Sequence, residues 1–399
     1  MQNKLPQGWV ECQFSDCIDK ISISNKLKQK EYLLEGEYPV IDQGHFFISG
    51  YYNERNLLLE IGEPVIIFGD HTRCFKYVDF PFIAGADGIK VLKPKQFFDS
   101  KLFYYFCLAL KFPNKGYSRH YQYLEKTIML IPPLNEQRRI VEKIESEFAK
   151  IDEGLEHLEN AKEQIKQYRQ SVLKSAFDGK LYKTSEWKET TLGEVVEPRR
   201  ERITPNDKNG NMVFIGMDCI EPNSLYIHKQ YKLKETKSVA FEFYKNDVLY
   251  GRMRSYLNKV WEATCNGTAS AEFIVFPEND NIFSSYLKYL LHQQNFVKYA
   301  TRNASGDRPR VKFESDLADY KFRLPSIEEQ KKIVEEIEKR FAVADEVEKV
   351  VEENIEKAKQ LKQSILKKAF EGRLVPQDPT DEPASTLLEK IKQERSKKK

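Results

Sequence analysis

The sequence "LPSIEEQKKIVEEIEKRF", residues 324–341, is nearly repeated earlier in the chain as "IPPLNEQRRIVEKIESEF", residues 131–148. The similarity continues without an insertion from Ile131 to Leu181 in the first copy and from Leu324 to Leu374 in the second. A repeat of this length without a gap predicts one rigid element in each copy.

Apolar residues in both copies follow a seven-residue period. In the first copy they are Val141, Ile144, Phe148, Ile151, Leu155, Leu158, Ile165 and Val172. In the second copy they are Val334, Ile337, Phe341, Ala344, Val351, Ile355, Ala358 and Ile365, with Glu348 as an interruption. This period is typical of long helices that pack as a coiled coil.

Residues at the ends of the repeat mark where these helices start and stop. Prolines 132 and 133 precede the first helix, and Ser326 with Glu329 forms a capping box on the second. Gly179 and Gly372 stand where a left-handed C-cap belongs. Each helix is therefore predicted to contain roughly 43 residues and to be about 65 Å long.

The segments that precede the two helices also resemble each other. Trp9 aligns with Trp187, and "VIIFGDHTR" (65–73) has the same pattern as "DVLYGRMRS" (247–255), an apolar strand that ends at a glycine. A globular segment of about 140 residues has a radius of gyration near 14 Å, so its ends cannot easily lie 65 Å apart. We therefore predict a mixed, α+β fold, with two similar α/β domains separated by two long antiparallel coiled-coil helices in a pseudo-two-fold arrangement.

Composition limits the classes of protein that are possible. A hydrophobic content of 40% can supply two cores, and the net charge of +3 means that any nucleic-acid surface must come from local clusters. The six cysteines form no CxxC pair, which suggests reduced thiols. The amino terminus has no apolar signal-like region. We expect a cytoplasmic protein with no membrane partner.

Several motifs resemble the specificity subunit of Type I restriction-modification systems: "PPLNEQRRIVEKI", "PSIEEQKKIVEEI", "LKSAFDGKL" and "LKKAFEGRLVPQDPTDEPASTLLEKIKQER". The resemblance implies a non-catalytic subunit that reads a bipartite site in double-stranded DNA with two target recognition domains. It also implies that the two conserved helices dock two methyltransferase subunits and that restriction (nuclease) subunits can join the complex. Each recognition domain would have an α/β fold similar to that of a Type II adenine methyltransferase.

On this resemblance the chain divides into five segments. They are target recognition domain 1 at 1–130, spacer helix 1 at 131–183, target recognition domain 2 at 184–323, spacer helix 2 at 324–375 and a C-terminal tail at 376–399.

Four loops combine basic residues with aromatic or small ones, at 69–76, 114–123, 251–259 and 301–312. Arginine can bind the guanine edge in the major groove, while other basic residues neutralise phosphates. For any single residue, an ordinary solvated charge remains the alternative. The candidate DNA-binding residues are Arg73, Lys76, Lys115, Arg119, His120, Arg252, Arg254, Lys259, Arg302, Arg308, Arg310 and Lys312.

Common catalytic motifs are missing from the sequence. It contains no GxGxxG, Walker A or HExxH pattern, and no Asn-Pro-Pro-aromatic motif of an adenine methyltransferase. Asp70 and His71 are better explained as a polar turn than as a catalytic pair. We expect no cofactor, no metal site and no catalysis by this chain. Two alternatives stay open: a coiled-coil adaptor with protein-binding heads, and a cryptic metal-dependent nuclease.

Overall fold

The computed structural model describes residues 5–23, 25–85, 88–112, 118–182, 186–204, 209–236 and 239–389. The chain forms two compact units. The first consists of Met1–Leu158 with Asn354–Lys399, and the second of Glu159–Glu353. Each unit contains a mixed α/β domain together with part of two long helices.

The α/β domain of the first unit is built mainly from short strands. They are β1 (Val10–Gln13), β2 (Ile18–Ile21), β3 (Tyr38–Ile41), β4 (Gly50–Tyr52), β5 (Leu58–Leu59), β6 (Val65–Gly69), β7 (Phe75–Val78), β8 (Phe82–Ala84), β9 (Ile89–Pro94) and β10 (Ile128–Ile131). Two helices accompany them, α1 (Ser100–Ala109) and α2 (Tyr121–Glu125). One sheet has the order β2-β9-β6-β7, a second has the order β4-β3-β8-β5, and β1 pairs with β10. The long helix α3 (Leu134–Phe177) follows.

The second unit has a domain of the same kind. Its strands are β11 (Lys188–Thr191), β12 (Arg202–Ile203), β13 (Val213–Ile215), β14 (Tyr231–Lys232), β15 (Ala240–Phe243), β16 (Val248–Gly251), β17 (Val260–Glu262), β18 (Gly267–Ser270), β19 (Phe273–Phe276) and β20 (Lys321–Leu324). Its helices are α4 (Leu192–Val195), α5 (Ser284–His292) and α6 (Gln294–Asn303), followed by the long helix α7 (Ile327–Phe370). The sheets are β12-β15-β18-β13-β14, β17-β16-β19 and the pair β11-β20.

The strand pairings show that the two domains share a topology. In the first, β6 is antiparallel to both β7 and β9, and β3 is parallel to β8. In the second, β16 is antiparallel to β17 and β19, and β13 is parallel to β18. The strand directly before each long helix, β10 or β20, pairs with the first strand of its own domain. The repeat that is faint in sequence is therefore clear in the hydrogen-bonding pattern.

Both long helices end as their sequences predict. Gly179 and Gly372, just beyond α3 and α7, have φ angles of 72° and 66°. Glycine adopts this left-handed conformation without a steric penalty, so it can close the last helical turn. Ser326 accepts a hydrogen bond from the Glu329 N–H at 3.3 Å, and the Glu329 carboxylate accepts one from the Ser326 N–H. The predicted capping box is confirmed.

Each unit contains one end of α3 packed with one part of α7. In the first unit, Lys362 pairs with Asp152 at 2.5 Å. In the second, Lys162 pairs with Glu352 at 2.9 Å, and Arg169 contacts both Glu348 and Asp345. Partner numbers on α7 fall as those on α3 rise, so the helices run antiparallel. The predicted fold class of two similar α/β domains and two long antiparallel helices is confirmed.

Among the described residues, no helix is both long and apolar enough to cross a membrane.

Candidate DNA interface

In the first unit, three loops meet where β6 ends. Asp70 follows Gly69 directly and donates its N–H to the Gly88 carbonyl at 2.7 Å. Its own carbonyl accepts a hydrogen bond from the His120 N–H at 3.0 Å. These two bonds join the loop after β6 to the residue before β9 and to the segment that leads into α2. Residues 69–76, 88 and 118–121 are called the first loop cluster below.

The second unit repeats this arrangement where β16 ends. Arg252 follows Gly251 and donates its N–H to the Glu272 carbonyl at 2.9 Å. The Arg252 carbonyl accepts from the Val311 N–H at 3.0 Å, and the Arg254 N–H donates to the Pro309 carbonyl at 2.7 Å. Residues 251–259, 272 and 302–312 are called the second loop cluster. Backbone hydrogen bonds thus bring together loops that are far apart in sequence.

In the first loop cluster the candidate residues fall into two groups. Arg73 and Arg119 are exposed, whereas Lys76 and His120 are buried. Lys115 lies outside the described residues. The two exposed arginines are therefore the described candidates that present a charge to solvent.

Lys76 has its ammonium group turned into the protein. Its side chain is 5% exposed, and the ammonium donates to the Phe46 carbonyl at 2.5 Å and to the Asp42 carbonyl at 2.9 Å. Burial lowers the pKa of Lys76, because the charged form loses its hydration. This geometry favours a role in fixing the loop at residues 42–46 over direct contact with a ligand.

His120 and Asp70 form a structural pair. The Asp70 carboxylate accepts hydrogen bonds from the backbone N–H groups of His120 and Tyr121, both at 2.8 Å. These are the first groups of α2, so the carboxylate satisfies donors that the helix leaves unpaired. Asp70 thereby holds the segment that carries Arg119 against the loop that carries Arg73.

In the second loop cluster four candidates are exposed: Arg254, Arg302, Arg308 and Lys312. Lys259 is partly buried, and its ammonium donates to the Met217 carbonyl at 2.7 Å. Burial lowers the pKa of Lys259 as well. Lys259 thus resembles Lys76, because its ammonium group binds a backbone carbonyl inside its own domain.

Arg310 is held by a carboxylate that the sequence analysis did not single out. Its guanidinium makes a bidentate contact with Glu272, with distances of 2.9 Å from Nε to Oε2 and 2.8 Å from an Nη to Oε1. Arg252 also faces Glu272, at 3.9 Å. The hydrogen bonds and charge of Arg310 lower the pKa of Glu272. Glu272 therefore orients Arg310, and it neutralises part of the charge of both arginines.

One arginine in each cluster adopts a backbone conformation that is unusual for its residue type. Arg73 has φ of 63° and Arg254 has φ of 52°. For a residue with a Cβ, the left-handed region costs roughly 1–2 kcal/mol. Strain of this kind often marks functional loops. In both units the residue in this conformation is an exposed arginine.

Exposed aromatic residues that were not among the candidates also lie at or next to the clusters, among them Tyr256 and Phe46. Tyr256 is in the second cluster itself, and Phe46 is in a loop bonded to the first. The aromatic content of the 251–259 loop was a usable signal for Tyr256. No sequence pattern separated Phe46 from the buried phenylalanines.

Across the described residues, no group of three or more histidine, cysteine, aspartate or glutamate side chains is placed to hold a metal ion. The six cysteines are free thiols.

The duplicated α/β domain, each copy with a cluster of basic loops, and the paired long helices define a class of proteins with two similar domains and two long helices. The family described as "Type I restriction modification DNA specificity domain" matches residues 6–167 and 184–357. The chain belongs to this family and is a specificity subunit with two DNA specificity domains.

Individual relatives agree with this assignment. The specificity subunit of the Type I restriction enzyme EcoDI from Escherichia coli is 28% identical over 308 residues, covering 67% of this chain and 68% of that protein. The EcoR124I/EcoR124II specificity subunit, also from Escherichia coli, is 28% identical over 348 residues, covering 78% of this chain and 81% of that protein.

A chain from a structure that concerns complex assembly and conformational transition of the type I R-M system has a similar fold. It superposes with a TM-score of 0.66 at 17% identity, over 93% of this chain and 99% of that one.

Proposed function

We propose that the chain reads a bipartite site in double-stranded DNA, with one loop cluster for each half-site, and directs partner methyltransferase subunits to it. The observation that carries the proposal is the shared construction of the two clusters. In each, the residue after the β6 or β16 glycine joins three loops, and exposed arginines surround it. Two similar loop clusters fit a DNA target that consists of two half-sites.

The exposed residues are proposed to contact the DNA. They are Arg73, Arg119, Arg254, Arg302, Arg308 and Lys312. Arginine can make a bidentate contact with the O6 and N7 atoms of guanine, and both arginine and lysine can neutralise a phosphate. Lys76, His120, Lys259 and Arg310 are proposed to act by fixing the loops, since each makes a hydrogen bond within its own unit. Arg252 is proposed to act in the same way, through its backbone bonds to Glu272 and Val311 and its ion pair with Glu272 at 3.9 Å.

The long helices are proposed to be the docking elements for two methyltransferase subunits, with restriction subunits joining that assembly. Support comes from the relatives, which are specificity subunits of Type I restriction enzymes. We further propose that the chain is non-catalytic and acts in the cytoplasm, with the recognition domains at 1–130 and 184–323. Asp70, the acidic residue in the turn after β6, caps α2 with its carboxylate.

Mapping of methylated adenines tests the proposal. Cells that express the chain with its cognate methyltransferase should acquire methylation at a split motif with a fixed spacer, and cells with the methyltransferase alone should not. Binding of the purified complex to a duplex with this motif should weaken steeply with salt, because phosphate contacts release counterions. Salt-independent binding or no motif would favour the adaptor alternative. Cleavage by the purified chain with Mg²⁺ would favour the nuclease alternative.

A further inference from the structure

Phe46 is a large apolar side chain that the first unit leaves in solvent. Its side chain is 81% exposed, and the neighbouring Phe47 and Ile48 are also exposed, at 46% and 36%. Apolar side chains grouped at a surface often mark a binding site. Phe47 packs edge-on against Phe80, with ring centroids 6.0 Å apart, so Phe46 is the more available ring of the two.

The loop that carries Phe46 is held in place by buried polar groups. The Asp42 carboxylate accepts from the Gly44 N–H at 2.8 Å and from the Ser49 hydroxyl at 2.6 Å, which closes the loop at both ends. The buried Lys76 ammonium donates to the carbonyl of Phe46 itself at 2.5 Å. Because its backbone is fixed, Phe46 would lose little conformational entropy on binding.

The Phe46 loop is also bonded to the loop that carries Arg73. The Thr72 hydroxyl donates to the Gln43 carbonyl at 2.5 Å, and the His71 N–H donates to the Gln43 side-chain oxygen at 3.3 Å. The His45 Nδ1 lies 3.1 Å from the Cys74 Sγ. The loop with the exposed ring of Phe46 and the loop with the exposed, left-handed Arg73 are therefore joined by hydrogen bonds.

We propose that Phe46 makes an apolar contact with the bases of the DNA half-site read by the first unit, beside the polar contacts of Arg73. This deepens the proposed function and rests on it. DNA offers two apolar features to such a ring: the methyl group of thymine in the major groove, and the exposed face of a base at a widened step. An arginine recognises hydrogen-bond acceptors on the bases. An apolar contact from Phe46 would distinguish base pairs by their apolar groups, which Arg73 does not contact.

The second unit presents the same combination of residue types. Tyr256 is 50% exposed, two residues after the left-handed Arg254 in the second loop cluster. In both domains an exposed ring thus lies on a loop that carries, or is hydrogen-bonded to, the loop with a strained arginine, and this recurrence favours a common role in recognition.

The test compares Phe46→Ala with the wild-type chain, each assembled with the methyltransferase, on a duplex that carries the mapped motif and on a scrambled duplex. We expect Phe46→Ala to weaken binding to the motif by about 5- to 100-fold, the range for losing recognition of one base pair. Binding to the scrambled duplex and its salt dependence should stay the same, because phenylalanine carries no charge. Leu34→Ala is the matched control, since Leu34 is 96% exposed on the same unit, and it should bind the motif as the wild type does.

Further readouts separate the possible failures. The inference is overturned if Phe46→Ala binds the motif with wild-type affinity. It is also overturned if the affinity falls equally for the motif duplex and the scrambled duplex. So does a variant that binds DNA normally but no longer assembles with the methyltransferase, because Phe46 would then contact protein. Motif-directed methylation with a relaxed first half-site and an unchanged second half-site supports it, and shows that the variant is folded. If the wild-type complex shows no motif preference, the proposed function itself fails.

Discussion

Gln137 and Gln330 make the same hydrogen bonds in the two units, and both are fully buried. The Gln137 side-chain oxygen accepts from the Asp99 N–H at 2.7 Å, and its amide donates to the Pro132 carbonyl at 3.0 Å. Gln330 likewise accepts from the Phe283 N–H at 2.8 Å and donates to the Pro325 carbonyl at 2.9 Å. Asp99 and Phe283 precede α1 and α5, so each glutamine ties a long helix to its own α/β domain. This explains the glutamine in both "NEQ" and "EEQ".

Replacing either glutamine with alanine should destabilise the unit that contains it. A buried N–H and a buried carbonyl would lose their partner, at a cost of about 1–3 kcal/mol. Urea unfolding of Gln137→Ala and Gln330→Ala should show this loss, whereas Gln164→Ala, an exposed position on α3, should unfold close to the wild type. If Gln137→Ala and Gln330→Ala were as stable as Gln164→Ala, water would be replacing the glutamine between the long helix and its domain.

Arg308 and Arg310 are two residues apart but should respond differently to alanine. Arg308→Ala should reduce the slope of log affinity against log salt by about 1 if it contacts a phosphate, with no change in melting temperature. Arg310→Ala should lower the melting temperature, because it leaves Glu272 without its bidentate partner. Lys245→Ala serves as the control for charge, since Lys245 is exposed and precedes β16 at the strand end opposite the cluster. Identical behaviour of the two arginine variants in both assays would contradict the distinction.

Arg169 should matter more to helix pairing than Lys362, its equivalent in the repeat. Arg169 contacts Glu348, whose side chain is only 26% exposed, whereas Lys362 pairs with Asp152, which is 59% exposed. Arg169→Ala should cost about 1–2 kcal/mol, since it leaves a half-buried carboxylate unpaired. Lys362→Ala should cost about 0.5 kcal/mol or less.

The double change Arg169→Leu with Glu348→Leu tests the cause of that difference. Leucine at position 348 restores the seven-residue apolar period of the second copy, because the equivalent residue of the first copy is Leu155. The denaturation midpoint of the double variant should equal or exceed that of the wild type, because apolar residues can replace a half-buried ion pair without loss. A double variant as unstable as Arg169→Ala would show that the ion pair itself is required.

His292 should make the second unit sensitive to acid. Burial lowers its pKa from 6.5 to about 4. Below pH 6.5 the unfolded chain therefore takes up a proton that the folded chain does not, so stability falls as the pH drops from 6.5 to 4 and levels off below that. The loss attributable to this residue is about 3 kcal/mol. Unfolding measured across this range should show a shallower pH dependence for His292→Gln, and parallel curves would rule His292 out as the source.

The sequence alone determined the elements whose signals are local. The gap-free repeat predicted the two long helices, the glycines after them predicted their ends, and the Ser326 to Glu329 spacing predicted a cap. The seven-residue period within each copy, the capping box and the C-terminal glycines all involve residues within a few helical turns of each other, so they can be recognised from the order of residues alone. The basic loops were predicted for the same reason, as short runs of sequence.

Tertiary structure decided what those basic residues do. Arg310 and Lys76 look like any other cation in the sequence, yet Glu272 binds Arg310 from 38 residues away, and the carbonyl of Phe46 accepts from Lys76 from 30 residues away. The exposure of Phe46 was equally hidden, since nothing local distinguishes it from the phenylalanines of the core. Whether a charge is free or a ring is buried depends on which strands the fold brings together, and strand pairing joins residues that the sequence keeps far apart.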